Sequence, residues 1–195
     1  MLKHNALATH KNLLYEIFYN ARNGEFTLRE FLNAVERTAT RLPDDVDVRN
    51  KYKGDAFEVL AEIFFTLFQH DASVGLANYT PVPIEQDYGV DASGRNPAGE
   101  DVVVQVKYRH NPSDLVLYEE IAKTDASGRR LLHYNLDRPR CIYVFTTAIG
   151  VTPACQRVYG NHIYLLNIDI IGDYIRNNLN FWEDAFRLVY EYLNP

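Results

Sequence analysis

Apolar residues recur at helical spacing over residues 5–21. Leu13, Leu14, Ile17, Phe18 and Ala21 share one face there, which predicts a first helix. Asn20 to Gly24 interrupts the pattern. Thr27-Leu28-Arg29-Glu30 then matches a capping box and opens a second helix, with Phe31, Ala34, Val35, Ala39 and Leu42 as its apolar stripe and Thr38 as the one polar residue on that face. The polar stretch Leu42 to Lys53, with Pro43 in it, reads as a connector. It divides an N-terminal helical extension, residues 1–50, from a main body, residues 51–195.

In that body Asp55 to Phe68 predicts a helix with Phe57, Leu60, Ala61, Phe64 and Phe68 on one side. Tyr79 to Ile84 is extended and carries two prolines, which suits an edge strand. Tyr88 to Arg95 and Asp101 to Tyr108 read as strands joined by the turn residues Asn96 to Glu100. A helix over Asp114–Lys123 and a buried strand over Cys141–Thr146 follow. Thr152-Pro153 then opens a short helix, Ile163 to Leu166 forms a last strand, and helices over Ile170–Asn177 and Asn180–Leu193 close the chain. From Gly54 the order is α-β-β-β-α-β-α-β-α-α. That predicts an α/β protein with a mixed central sheet flanked by helices. The last helix is apolar over more than one face. Trp182, Ala185, Phe186, Val189 and Leu193 make one stripe, and Phe181, Leu188 and Tyr192 a second. The excess has two outlets: the N-terminal helices of the same chain, or a second copy in a two-fold homodimer.

Hydrophobic residues make up 47% of the 195 and charged residues 24%, which is ordinary globular usage and excludes global disorder. No apolar run reaches the roughly 20 residues of a membrane helix, and the first residues lack the continuous apolar core of a secretory signal. A cytoplasmic protein without a membrane partner is expected. Cys141 and Cys155 lack metal-ligand spacing and read as buried thiols. The net charge of −6 excludes a uniformly basic nucleic-acid binder but not a local basic site. Such a site is legible in Arg129, Arg130, Arg138 and Arg140, which with His133 face a single acid, Asp137. The run fits a track for DNA phosphates, and it fits equally a solvated loop.

The candidate chemistry lies in the strand pair. A symmetric turn centred on Ala98 sets Asp91 opposite Gln105. Val103, Gln105 and Lys107 share one strand face, and Val102, Val104 and Val106 the other. A glutamine and a lysine inside an apolar run are costly to bury without partners. An aspartate across the ladder, together with a metal ion, satisfies them. Glu58 and Glu62, one helical turn apart, offer a further carboxylate. A helix carboxylate, a strand carboxylate and a main-chain carbonyl make an oxygen-rich site suited to Mg²⁺, beside which a lysine can orient water and stabilise charge on a phosphate. Glu58 also fits the third position of a capping box starting at Asp55. Arg109 and His110 follow the lysine, within reach of a phosphate, although His110 also fits an exposed loop. The nucleotide-loop, nucleophile-elbow and zinc-helix signatures GxxxxGK, GxSxG and HExxH are absent from the sequence.

Gly54-Asp55-Ala56-Phe57-Glu58, Tyr88-Gly89-Val90-Asp91 and Val104-Gln105-Val106-Lys107-Tyr108-Arg109 together resemble the PD-(D/E)XK nuclease superfamily. The pattern is nearest its Mrr-like restriction endonuclease branch, in which Gln often replaces the second strand acid. Val144-Phe145-Thr146-Thr147, Thr152-Pro153-Ala154 and Ile163-Tyr164-Leu165-Leu166 look like that branch's closing strand, helix and strand. The resemblance covers residues 54 to about 175. It implies a restriction-endonuclease-like core acting as a metal-dependent DNA endonuclease. Glu58, Asp91 and the Val106 carbonyl would hold Mg²⁺, for which Mn²⁺ could substitute. Gln105 would stand in place of a carboxylate, Lys107 would be the catalytic lysine, and no small-molecule cofactor would be needed. The products would carry 5′-phosphate and 3′-hydroxyl ends. A freestanding homing or phage-type enzyme, the nuclease domain of a restriction system, a junction resolvase, and a nuclease fold kept only for nucleic-acid binding all remain open on the sequence.

Overall fold

The sequence pattern resolves into helices and strands in the expected order. A computed structural model describes residues 2–23, 25–83, 89–111, 113–131 and 141–195. These residues form two units. One takes in the chain up to Leu67 together with Ile170–Pro195; the other is Phe68–Asp169.

The first unit is helical. The predicted first helix is two helices, α1 (Ala6–Thr9) and α2 (Lys11–Ala21). They part at His10, whose ring nitrogen Nε2 lies 3.0 Å from Asp55 Oδ2. Helix α3 (Leu28–Ala39) starts as its capping box predicts. The Thr27 hydroxyl accepts from the Glu30 amide, and the Glu30 side chain accepts from the Thr27 amide.

Helix α4 (Val46–Leu67) corrects the expected connector, because it starts inside that stretch and runs without a break through Gly54. The proposed boundary between residues 50 and 51 falls within it. Asp45 supplies the start: its Oδ1 accepts from the amides of Asp47 (2.9 Å) and Val48 (3.2 Å). The polar residues that suggested a linker form the solvated side of the first turns, where Val46 is 71% exposed. The fully buried Tyr52 anchors the other side, its hydroxyl 2.6 Å from Thr38 Oγ1. Thr38, the polar residue in an apolar stripe, thereby has a buried partner.

Helix α8 (Phe181–Leu193) turns part of its wide apolar face inward. Phe181, Trp182, Ala185 and Val189 are buried. Trp182 stacks on Phe31 with ring centroids 5.6 Å apart and meets Phe26 edge-on at 5.3 Å. Phe186 meets Tyr15 and Tyr19, each at 5.7 Å. The N-terminal helices of the same chain thus pack against Trp182 and Phe186, while Leu188, Tyr192 and Leu193 remain half-buried.

Glu62 in α4 is 2% exposed, and its carboxylate accepts from the main-chain amides of Lys3 (2.6 Å) and His4 (3.1 Å). Burial pushes its carboxyl above the usual carboxylate range, against the lowering effect of the two amides and of His4 and Lys3. The folded state therefore binds this proton more readily than the unfolded chain. The stabilisation that follows is complete below the usual carboxylate range and is lost as pH rises through the raised value. Glu62→Gln removes the titration. Relative to the variant, the wild type is expected to lose stability as pH rises from about 4 upward, read as denaturant midpoints across the range. Parallel midpoint curves for the two proteins would contradict this account.

The second unit holds a five-stranded mixed sheet in the order β1 (Ala77–Pro81), β2 (Ala92–Arg95), β3 (Asp101–Lys107), β4 (Ile142–Thr146) and β5 (Ile163–Leu166). The pairs β1–β2 and β2–β3 are antiparallel, and β3–β4 and β4–β5 are parallel. The proline-bearing segment is the edge strand β1, as expected, although the end of its predicted span, Ile84, lies outside the described residues, as does Tyr88. Helix α5 (Tyr118–Leu131) begins later and ends later than the predicted 114–123. The reason is local: Val116 forms a parallel bridge to Val151, with Val116 N donating to Gly150 O and Thr152 N donating to Val116 O. The chain stays extended to that point. Thr152 caps the short helix α6 (Pro153–Tyr159) as predicted. Helix α7 (Ile168–Asn177) follows β5.

Cys155 is buried and Cys141 is partly exposed, and neither is disulfide-bonded. No helix among the described residues is long and apolar enough to cross a membrane. The α/β class, with a mixed sheet and flanking helices, is as the sequence predicts.

Candidate active site

The hairpin has the predicted register. Ala92 pairs with Val104, Ser93 with Val103, Gly94 with Val102 and Arg95 with Asp101. One step further on, Asp91 N donates to Val104 O at 3.1 Å, which places Asp91 beside Gln105. The Asp91 carboxylate then turns onto β3. Its Oδ2 accepts from the Val106 amide at 2.6 Å and from Gln105 Nε2. That same nitrogen lies 3.5 Å from the Val106 carbonyl. A carboxylate oxygen and a main-chain carbonyl oxygen thus gather on one amide group. Strands β2 and β4 pair both edges of β3, and Gln105 on its face is only 1% exposed and needs these partners. Gly89, two residues before Asp91, has φ +97°, a conformation other side chains rarely adopt. A Cβ there would lie 2.9 Å from Lys123 Cε, so the lysine stem covers the turn that leads into the aspartate.

Helix α5 lies along the Val103–Gln105–Lys107 face and touches it at two successive heights, with Glu120 following one turn on. A Cβ on Gly128 would sit 2.8 Å from Val103 Cγ1, so glycine permits the close approach. One turn back, the Thr124 hydroxyl bonds Gln105 Oε1. One turn further back, Glu120 carries a carboxylate that feels the Lys107 charge. The match is geometric: four residues of helix advance about 6.0 Å and two residues of strand about 6.6 Å. Every fourth helix residue can therefore serve every second strand residue.

Just past the end of β3, Arg109 is paired with Glu120. Glu120 Oε2 accepts from Arg109 Nη2 and, at 2.9 Å, from the Leu117 amide. Burial pushes the Glu120 carboxyl up, but the Arg109 bond, the Leu117 amide and the charges of Arg109 and Lys107 hold it below the usual carboxylate range. Thr147 Oγ1 accepts from Arg109 N at 2.6 Å and lies 3.0 Å from Arg109 O, closing the end of the parallel pair.

His110 is exposed, as an exposed loop residue would be. Arg129 and Arg130 belong to the last turn of α5 rather than to a loop. Arg129 pairs with Asp125, with Nε to Oδ1 at 3.1 Å and Nη2 to Oδ2 at 3.0 Å, while Arg130 is exposed. His133, Arg138 and Arg140 lie outside the described residues.

Glu58 belongs to the first unit and sits mid-helix in α4, so it is not part of a helix start. Its Oε2 lies 2.8 Å from His4 Nε2. His4 Nδ1 accepts from the Ala6 amide at 3.2 Å, which leaves Nε2 to carry the proton and donate to Glu58. Burial pushes the His4 ring down; the Glu58 hydrogen bond and the charges of Glu58, Glu62 and Asp55 bring it above its ordinary value. His4, Thr124, Glu120 and Gly128 all escape the sequence reading. The only sequence signal for the last three is their spacing of four, which acquires meaning once the helix is laid on the strand.

The donor chemistry fits a hard divalent cation. Asp91 and the Val106 carbonyl offer oxygen only. Mg²⁺ commonly takes one or two carboxylates and completes its shell with water and substrate phosphate. Among the described residues no three of His, Cys, Asp and Glu gather as a metal cluster, so any such site relies on few protein ligands.

No family model matches the chain, and no curated protein matches it. Among solved structures it is similar to the MspJI restriction endonuclease in complex with a 27-mer oligonucleotide, at 22% identity and a TM-score of 0.47 over 83% of this chain. It is also similar to a repair endonuclease from Pyrococcus abyssi, at 15% identity and a TM-score of 0.36 over 52% of this chain. The chain spans 36% of the length of the first and 43% of the length of the second.

Proposed function

We propose that this chain is a Mg²⁺-dependent DNA endonuclease, of freestanding homing or phage type, that hydrolyses phosphodiesters to 5′-phosphate and 3′-hydroxyl ends. The observation that carries the reading is the convergence of Asp91, Gln105 and the Val106 carbonyl, with Lys107 next on the same strand face. These are four of the five groups that the PD-(D/E)XK resemblance implies, and their presence together supports the reading. Asp91 and Val106 O would hold the cation; Glu58 is added on the resemblance alone. Once bound, a divalent cation supplies Lewis-acid polarisation of the phosphate. Lys107 orients a water for in-line attack and stabilises the negative charge that builds on the phosphoryl oxygens. The water oxygen bonds to phosphorus, the bond to the 3′ oxygen breaks, and the water proton ends on that oxygen. Arg130, exposed on α5, and Arg109 beside Glu120 are placed here as contacts to the DNA backbone.

Incubation of supercoiled and branched DNA with Mg²⁺, Mn²⁺ or EDTA tests the reading. Nicking that needs the cation and leaves 5′-phosphates is the expected result. Asp91→Asn is expected to cut at least about a hundredfold more slowly and to bind Mn²⁺ more weakly by calorimetry. Cleavage that persists in EDTA, or a fully active Asp91→Asn, would overturn it.

A further inference from the structure

Thr124 has no place in the resemblance, yet it is fully buried in α5 with its hydroxyl on Gln105. The same Oγ1 lies 2.9 Å from the Gly89 carbonyl and 3.0 Å from the Glu120 carbonyl. Three acceptors therefore compete for one hydroxyl proton, and Asp91 decides between them. An ionised carboxylate accepts and never donates, so the Gln105 amide must present its NH₂ side to Asp91 Oδ2. Its Oε1 then faces α5, buried, and requires a donor. Were the Thr124 proton given to either backbone carbonyl, the amide would have to turn and set its oxygen against the carboxylate.

Resting on the endonuclease reading, we infer that Thr124 is a positioning residue: it fixes the amide of Gln105 as a donor to Asp91 and so holds the aspartate on the Val106 amide. Hydroxyl, amide and carboxylate form a directed chain from helix to strand to strand. Gln105 then acts as the neutral group that orients the acid, with its oxygen turned away from it. The helix contributes by direction of hydrogen bonding rather than by charge.

The test uses the full chain, ¹⁵N-labelled, as Thr124→Val and Thr124→Ser. The Gln105 side-chain amide signal is assigned by its loss in Gln105→Met. In the wild type and in Thr124→Ser this NH₂ should exchange slowly with solvent. In Thr124→Val, exchange should rise by about tenfold or more, the loss of one buried hydrogen bond. Cleavage with Mg²⁺ should fall by a similar factor, about tenfold, in Thr124→Val and recover to near wild type in Thr124→Ser, with DNA affinity unchanged in both. If Thr124→Val does not fold, Thr124→Ala replaces it with the same expectation. Wild-type amide exchange in the variant overturns the inference, whatever the activity. A Thr124→Ser as slow as Thr124→Val also overturns it, because the hydroxyl would not be what matters. A wild type that cuts no DNA, while Thr124→Val still frees the amide, overturns the endonuclease reading and leaves the hydrogen-bond chain standing.

Discussion

Lys107→Ala is expected to slow cleavage by about 10² to 10³ while leaving DNA binding nearly intact. Lys107 ends β3, on the strand face that also carries Gln105, and is half-buried. Its charge helps to hold the Glu120 carboxyl down, beside the Arg109 bond and the Leu117 amide. A cation held at such a point acts on charge that grows only as the phosphodiester opens, so its removal costs rate rather than affinity. Loss of one electrostatic stabiliser of this kind typically lowers the rate by about 10² to 10³. One phosphate contact among many changes affinity and its salt dependence only slightly. Single-turnover cleavage and anisotropy titrations on the same DNA separate the two effects. A Lys107→Ala protein that cuts at the wild-type rate removes this lysine from the mechanism. One that binds DNA a hundredfold more weakly makes it a docking residue instead.

Gln105→Glu is expected to give the largest change in stability. The substitution sets a second carboxylate against Asp91, in a position that is 1% exposed and where an N–H now donates. Thr124 can still donate to one oxygen of the new side chain, but the other faces a like charge. A buried charge without a counter-charge costs about 3–5 kcal/mol, or roughly 6–20 °C of melting temperature for a chain of this size. A divalent cation between the two acids reverses the sign of the interaction. The variant should therefore melt well below wild type in EDTA and gain more than wild type from Mg²⁺ or Mn²⁺. Equal melting in EDTA would mean that Gln105 and Asp91 are not in contact. Equal gains from the cation would mean that none binds beside them.

The hairpin was readable because its information is local. Strand alternation has a period of two, the turn is symmetric about Ala98, and together they leave one register, which placed Asp91 by Gln105. The caps at Thr27 and Thr152 were readable for the same reason. Helix extent was less so. The polar run before Gly54 looked like a linker because half of a solvated helix is polar, and only the burial of Tyr52 against Thr38 shows that the run has an inner side. The start of α5 was hidden by the Val116–Val151 bridge, a pairing that no local pattern announces. The partner of Glu58, His4, lies 54 residues away in the chain. Thr124 could not be singled out, since a threonine inside a helix carries no signal until the opposing strand residue is known to be a glutamine that needs a donor.

The pairing of α5 with β3 also governs which changes of chain length this unit can bear. A substitution at Gly128, Thr124 or Glu120 disturbs one height of the pairing and leaves the other two in register. Inserting or deleting one residue between them is different. It rotates everything beyond it by about 100° around the helix axis and turns the remaining partners away from the strand. The unequal strides add a second constraint: at about 0.6 Å per step the mismatch grows with distance, so the two elements stay in step over only a few heights. Length variation is thus expected before Tyr118 or after Leu131, and between those residues only changes of side chain.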